Sequence, residues 1–183
     1  GQLDLAGAEV AFKQSIDLHP APAVVTNLGN LYRQMDREQD ALACYNRAIE
    51  AAPSHLPARV NKGRSLLAIS RLEEATTLYT DILEELPDHT NARIGLAQSL
   101  QRRGQTRAAT LHFEKALAHE PENAAALNGL GVMQKVSGRP KEASRTLKRA
   151  VASAPTAPEV RTNLASALAL SGKETEAISA HPE

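Results

Sequence analysis

Five prolines, Pro20, Pro53, Pro87, Pro121 and Pro155, recur at intervals of 33, 34, 34 and 34 residues. A period in this range, kept over most of a 183-residue chain, marks one supersecondary unit stacked on copies of itself. Each unit of such an array buries its apolar face only against its neighbours, so the chain reads as a single domain over residues 1–183. Arrays of this kind present an extended surface and seldom an enclosed catalytic pocket.

With each proline as position 32 of a 34-residue unit, full units run 22–55, 56–89, 90–123 and 124–157, flanked by partial units 1–21 and 158–183. The same residue types then recur in phase. Position 8 is small: Gly29, Gly63, Ala97, Gly131 and Ala165. Position 20 is always alanine: Ala8, Ala41, Ala75, Ala109, Ala143 and Ala177. Position 24 holds a ring or leucine: Phe12, Tyr45, Tyr79, Phe113 and Leu147. Small residues at 8 and 20 let two antiparallel helices approach, and the bulky residue four places after the alanine shares its face and fills the gap between units.

Helix boundaries follow from the punctuation. The proline at position 32 cannot continue a helix, because it lacks an N–H and its ring clashes with the preceding turn. First helices are expected near 22–35, 56–69, 90–103, 124–137 and 158–171, and second helices near 5–18, 38–51, 72–85, 106–119, 140–153 and 174–180. Pro22, Pro57, Pro140 and Pro158 lie near helix starts, where proline is tolerated. Gly104, Gly138 and Gly172 lie in the turn between the two helices, where a C-terminal cap favours glycine. Abundant alanine and leucine, with two Phe, three Tyr and no Trp, suit close helix packing and argue against a sheet.

This pattern resembles the tetratricopeptide repeat (TPR), and the resemblance covers essentially the whole chain. It implies an all-α fold, a right-handed α-solenoid of antiparallel helix pairs (the TPR superhelix), with about eleven helices. Two positions depart from the family. Position 4, often Trp there, holds Val25, Arg59, Arg93, Leu127 and Arg161, and Lys62 replaces a leucine at position 7 of the second full unit, weakening the packing expected there.

The resemblance also implies that first helices line a concave face through positions 2, 5, 6, 9, 12 and 13. These hold Thr26, Asn27, Asn30, Arg33 and Gln34 in the first full unit, then Asn61 and Arg64. Asn91, Gln98, Gln101 and Arg102 follow, then Asn128 and Lys135, and finally Thr162, Asn163 and Ser166, with Glu159 the one acid. Acids concentrate on second helices and their turns: Glu38, Asp40, Glu50, Glu73, Glu74, Asp81, Glu84, Glu85 and Asp88. A mildly positive, amide-rich groove with a negative back is therefore expected, favouring an acidic or carboxylate-bearing peptide. Asn27, Asn61 and Asn163 share position 6 and resemble the asparagine ladder with which peptide-binding TPR proteins hold an extended backbone. An amide suits that task because it offers a donor and an acceptor. Gly95 and Gly129 interrupt the ladder. The carboxylate clamp of chaperone-binding TPR domains needs Lys at position 5, which here holds Thr26, Val60, Ile94, Asn128 and Thr162, so a chaperone-tail role is not expected.

Catalysis is not expected, nor is a cofactor or metal. The six histidines, 19, 55, 89, 112, 119 and 181, lie mostly at second-helix ends or in turns and show no metal-ligand spacing. The single cysteine, Cys44, beside Tyr45 on a second helix, reads as a packed or half-exposed thiol. Glu73-Glu74 and Glu84-Glu85 read as solvated helix faces. Equal numbers of basic and acidic residues, 21 each, leave no basic excess for nucleic acid. No run of 18 apolar residues spans a membrane. The expected setting is soluble, cytoplasmic or periplasmic, with the compartment left open.

The expected function is a protein–protein interaction scaffold or adaptor. Two alternatives rest on finer resemblances. Asn27-Leu28-Gly29-Asn30-Leu31-Tyr32 and Cys44-Tyr45-Asn46-Arg47-Ala48 are similar to TPR units of glycosyltransferases, which implies a substrate-docking arm of a glycosyl- or sulfotransferase-type enzyme. Leu127-Asn128-Gly129-Leu130-Gly131 and Arg161-Thr162-Asn163-Leu164-Ala165 resemble tight-adherence pilus-assembly TPR lipoproteins. The chain starts and stops inside units, and Phe12, Ile16, Leu164 and Leu168 are expected to be partly uncovered, so that either further repeats belong there or the ends self-associate.

Overall fold

A computed structural model describes residues 4–180. The chain divides into two compact units, residues 1–87 and 88–183. The first contains α1 (Leu5–Leu18), α2 (Pro22–Gln34), α3 (Glu38–Ala51), α4 (Leu56–Ala68) and α5 (Leu72–Glu85). The second contains α6 (Thr90–Arg102), α7 (Thr106–His119), α8 (Ala124–Val136), α9 (Pro140–Ser153), α10 (Pro158–Leu170) and α11 (Glu174–Ala180). Among the described residues there is no strand, and the expected all-α array of antiparallel helix pairs is the fold observed. Within each unit every helix packs on the next, and alternate first helices also touch: α2 on α4, α6 on α8, and α8 on α10.

The repeated small and bulky residues explain the packing. Ala41, Ala75, Ala109 and Ala143 are fully buried, as are Tyr45, Tyr79, Phe113 and Leu147. A Cβ added at Gly29 would lie 2.6 Å from the Tyr45 ring, and one at Gly131 would lie 2.5 Å from Leu147 Cγ. Gly63 stands against the Tyr79 ring in the same way. In the third full unit Ala97 occupies this position, and the Phe113 ring packs instead against Gly129. Gly129 is thus a packing residue as well as a gap in the asparagine series.

Turns within pairs have three residues, and their middle residue is left-handed in all five: Asp36 (φ 55°), Ser70 (φ 63°), Gly104 (φ 74°), Gly138 (φ 74°) and Gly172 (φ 78°). Turns between pairs have four residues (52–55, 86–89, 120–123 and 154–157), except for residues 19–21 between α1 and α2. The short 33-residue proline interval is therefore one residue lost from that turn.

One expectation needs correction in part: Ile16, Leu164 and Leu168 are buried, because α1 covers α2 and α11 covers α10, while Phe12 is half-buried, as expected. The large exposed apolar residues of α1 and α11 are Val10, Leu18 and Ile178. Position 4 is also used differently. Arg59 is 9% exposed and makes paired hydrogen bonds to Glu85 at 2.5 and 2.7 Å, a cross-helix tie in place of an aromatic plug. Lys62, half-buried, lines a surface cleft with Leu66, Glu73, Glu74, Leu78 and Asp81, and its charge lies close enough to Glu74 to help hold that carboxyl down.

Candidate ligand-binding faces

In the first unit the candidate face is built on α2 and α4. Asn30 is half-buried, and its Oδ1 accepts from Tyr45 Oη and from Asn61 Nδ2, both at 2.8 Å. Burial, with Arg33 opposing it, pushes the Tyr45 phenol up to about 12, so the ring donates this bond throughout the physiological range. The Asn30–Asn61 rung leaves the Asn30 amide protons and the Asn61 carbonyl oxygen without a partner among the described residues. A peptide unit needs that pair, one donor and one acceptor. Arg33, half-buried, and Arg64, exposed, lie close enough to oppose the upward shift that burial imposes on Tyr79. Asn27 and Gln34 are exposed on the same helix and belong to no rung. Thr26 is not on this face: it is 3% exposed, donates to the Pro22 carbonyl at 2.7 Å and meets His55 Nε2 at 3.1 Å.

In the second unit the candidate face is built on α6, α8 and α10. Asn163 Nδ2 donates to Asn128 Oδ1 at 3.0 Å, again leaving one amide's protons and the other's carbonyl. Lys135 Nζ donates to Ser166 Oγ at 3.1 Å, a second rung two turns further along α8 but only about one turn further along α10. Gln98 and Gln101 are half-buried on α6 and Arg102 is exposed. The position-6 asparagines therefore pair with amides of the preceding repeat and not with one another. Sequence reasoning missed the apolar part of this face. Val136 and Leu170, both at position 13, are each 63% exposed. They were legible in the register, but selecting only polar residues at the groove positions passed over them.

Among the described residues no three His, Cys, Asp or Glu side chains are grouped so as to hold a metal ion. His89 Nδ1 accepts from the Ala92 N–H and caps α6, and His119 lies 3.4 Å from Asp88. His112 departs from the turn pattern: it sits mid-α7, half buried, and burial together with Arg93 and Lys115 holds its imidazole below the ordinary value. His181 lies outside the described residues. Burial raises the Cys44 thiol, so less of it is present as the reactive thiolate than in a free cysteine. Of the paired acids, Glu74 holds Arg71 and Glu85 holds Arg59. No helix among the described residues is long and apolar enough to cross a membrane.

Two family profiles, both described as tetratricopeptide repeat, match residues 24–55 and 100–168, together just over half of the chain. The chain belongs to the tetratricopeptide repeat family. No curated protein matches it. Among solved structures it is similar to TTC0263, a thermophilic TPR protein of Thermus thermophilus, with TM-score 0.78 and 22% identity over 87% of this chain and 88% of that one. It is similar to PilW, a type IV pilus biogenesis factor, with TM-score 0.85 and 15% identity over 97% and 83%. It is also similar to YrrB, a TPR protein with an unusual peptide-binding site, with TM-score 0.64 and 19% identity over 93% and 88%. At these identities the likeness is one of fold. That fold is in general a protein–protein interaction scaffold.

Proposed function

We propose that this TPR chain binds extended polypeptide segments carrying carboxylates, and that its first helices supply the contacts. The observation that carries this reading is the pair of amide rungs, Asn30–Asn61 and Asn128–Asn163, each holding a donor and an acceptor ready for a peptide backbone. Arg33, Arg64 and Lys135 beside the rungs favour acidic side chains, while Val136 and Leu170 offer an apolar anchor. The same faces would serve a docking arm of a glycosyl- or sulfotransferase or a pilus-assembly lipoprotein. What separates those roles is the identity of the bound peptide.

Selection of random displayed peptides on the full chain should return acidic sequences. A selected peptide should lose about fivefold in affinity to each of Asn61→Ala and Asn163→Ala, the worth of one net hydrogen bond. Its affinity should also fall with added salt. Peptides without acidic bias, or asparagine variants that bind as tightly as the parent while remaining folded, would remove this reading.

A further inference from the structure

Helix α9 carries Lys141, Ser144, Arg145 and Lys148 at spacings i, i+3, i+4 and i+7, which sets all four on one face. Opposite them the turn between α10 and α11 brings Ser171 and Lys173. These six residues line a cleft of about 170 Å³. Four cations meet there, and one carboxylate answers them: Glu176 accepts from Lys148 Nζ and from Lys173 Nζ, both at 2.7 Å. Lys141 and Arg145 have no carboxylate partner among the described residues.

The cluster is not a by-product of the repeat. One period earlier the corresponding positions hold Arg107, Thr110, Leu111, Glu114, Ser137 and Arg139, two cations and an acid. Residues 88–183 as a whole hold thirteen Lys and Arg against nine Asp and Glu, a formal charge of +4. The two hydroxyls are local: Ser144 donates to the Lys141 carbonyl at 3.0 Å and Ser171 to that of Leu168 at 2.8 Å, and either can turn toward a ligand.

We propose that this cleft binds a phosphate group, either inorganic phosphate or a phosphomonoester. Lys141 and Arg145 make the first contacts, and Lys148 and Lys173 are shared between the ligand and Glu176. Four cations against one carboxylate exceed what a single bound carboxylate would balance, and suit a dianion. The planar Arg145 fork matches two phosphate oxygens, and lysine ammonium groups and serine hydroxyls can serve the others. The site lies on a second helix and the turn opposite it, so it stands or falls independently of the peptide-binding reading.

The test is a titration of the full chain with inorganic phosphate and with free phosphoserine, followed by amide chemical shifts at constant ionic strength. Saturable shifts confined to the segments around Ser144 and Ser171–Glu176, absent with chloride, are expected. The exposed pair Lys141→Ala and Arg145→Ala should leave the melting temperature unchanged and weaken phosphate binding about tenfold, whereas Lys115→Ala on α7 should not affect it. Tighter binding of phosphoserine identifies an ester-borne phosphate, and equal binding identifies the free anion. Non-saturating shifts spread over all basic residues, or undiminished binding by the Lys141/Arg145 variant, overturn the proposal.

Discussion

Position 15 of the repeat asks one residue per unit to adopt a left-handed backbone. Gly104, Gly138 and Gly172 do so without steric cost, while Asp36 and Ser70 carry a Cβ into the same region. An L-residue there costs about 1–2 kcal/mol, less for Asp, whose short polar side chain tolerates the conformation. No heavy atom lies within 4 Å of the Cβ that Gly138 would gain, so Gly138→Ala isolates the backbone term. That variant should lose about 1 kcal/mol by urea melting, and Asp36→Gly should gain several tenths. An unchanged midpoint for Gly138→Ala would mean that the turn is not held in this conformation in solution.

At the scale of the element, α11 is seven residues long, too short to be stable alone, and is kept by what it touches. Ala177 and Ala180 pack against Leu164, Leu168 and Leu147, and Lys148 reaches across from α9 to Glu176. Hydrogen bonds from Lys148 and then Lys173 hold the Glu176 carboxyl down to about 2, against 4.5 when free. A depressed carboxylate contributes its docking fully above about 4.5 and loses it as pH falls toward about 2. Amide exchange in Thr175–Ala180 should therefore rise between those limits more than in α9, after correction for the intrinsic pH dependence. Glu176→Gln should show faster exchange already near neutrality and little further change in acid. Equal protection of α11 in both proteins would place its docking in the apolar contacts alone. The helices themselves were legible: second helices read as 38–51, 72–85, 106–119 and 140–153 are found there, because alanine at position 20 and proline at position 32 bracket each one. The rungs were less so. Asn27, Asn61 and Asn163 are equivalent by position, yet Asn61 reaches Asn30, Asn163 reaches Asn128, and Asn27 joins neither. Which amide lies within reach depends on the neighbouring helix. The Asn30 carbonyl is oriented by Tyr45, while the Phe113 ring takes the place that an asparagine would need at Gly129. The basic face of α9 lies on a second helix, outside the groove positions that the family resemblance implies.

For the whole molecule, zero net charge conceals two opposite halves. Residues 1–87 hold eight Lys and Arg against twelve Asp and Glu, a formal −4, which balances the +4 of residues 88–183. Acids crowd α3 and α5, but α9 departs from the expected negative back, with Lys141, Arg145, Lys148 and Arg149 against the single acid Glu142. A unit of this size has a radius of gyration of about 12 Å, comparable to the Debye length of about 10 Å at 0.1 M salt. An oppositely charged surface therefore feels one unit's charges at short range and not the molecular sum. The intact protein should consequently be retained near neutral pH and low salt on both anion- and cation-exchange resins, and elute from each with modest salt. Lys141→Glu with Arg145→Glu cuts the second unit's charge from +4 to 0, and should weaken retention on the cation exchanger while strengthening it on the anion exchanger. Flow-through on both resins would show that the opposite charges compensate locally, and would remove the electrostatic basis for directing an anionic ligand to the second unit.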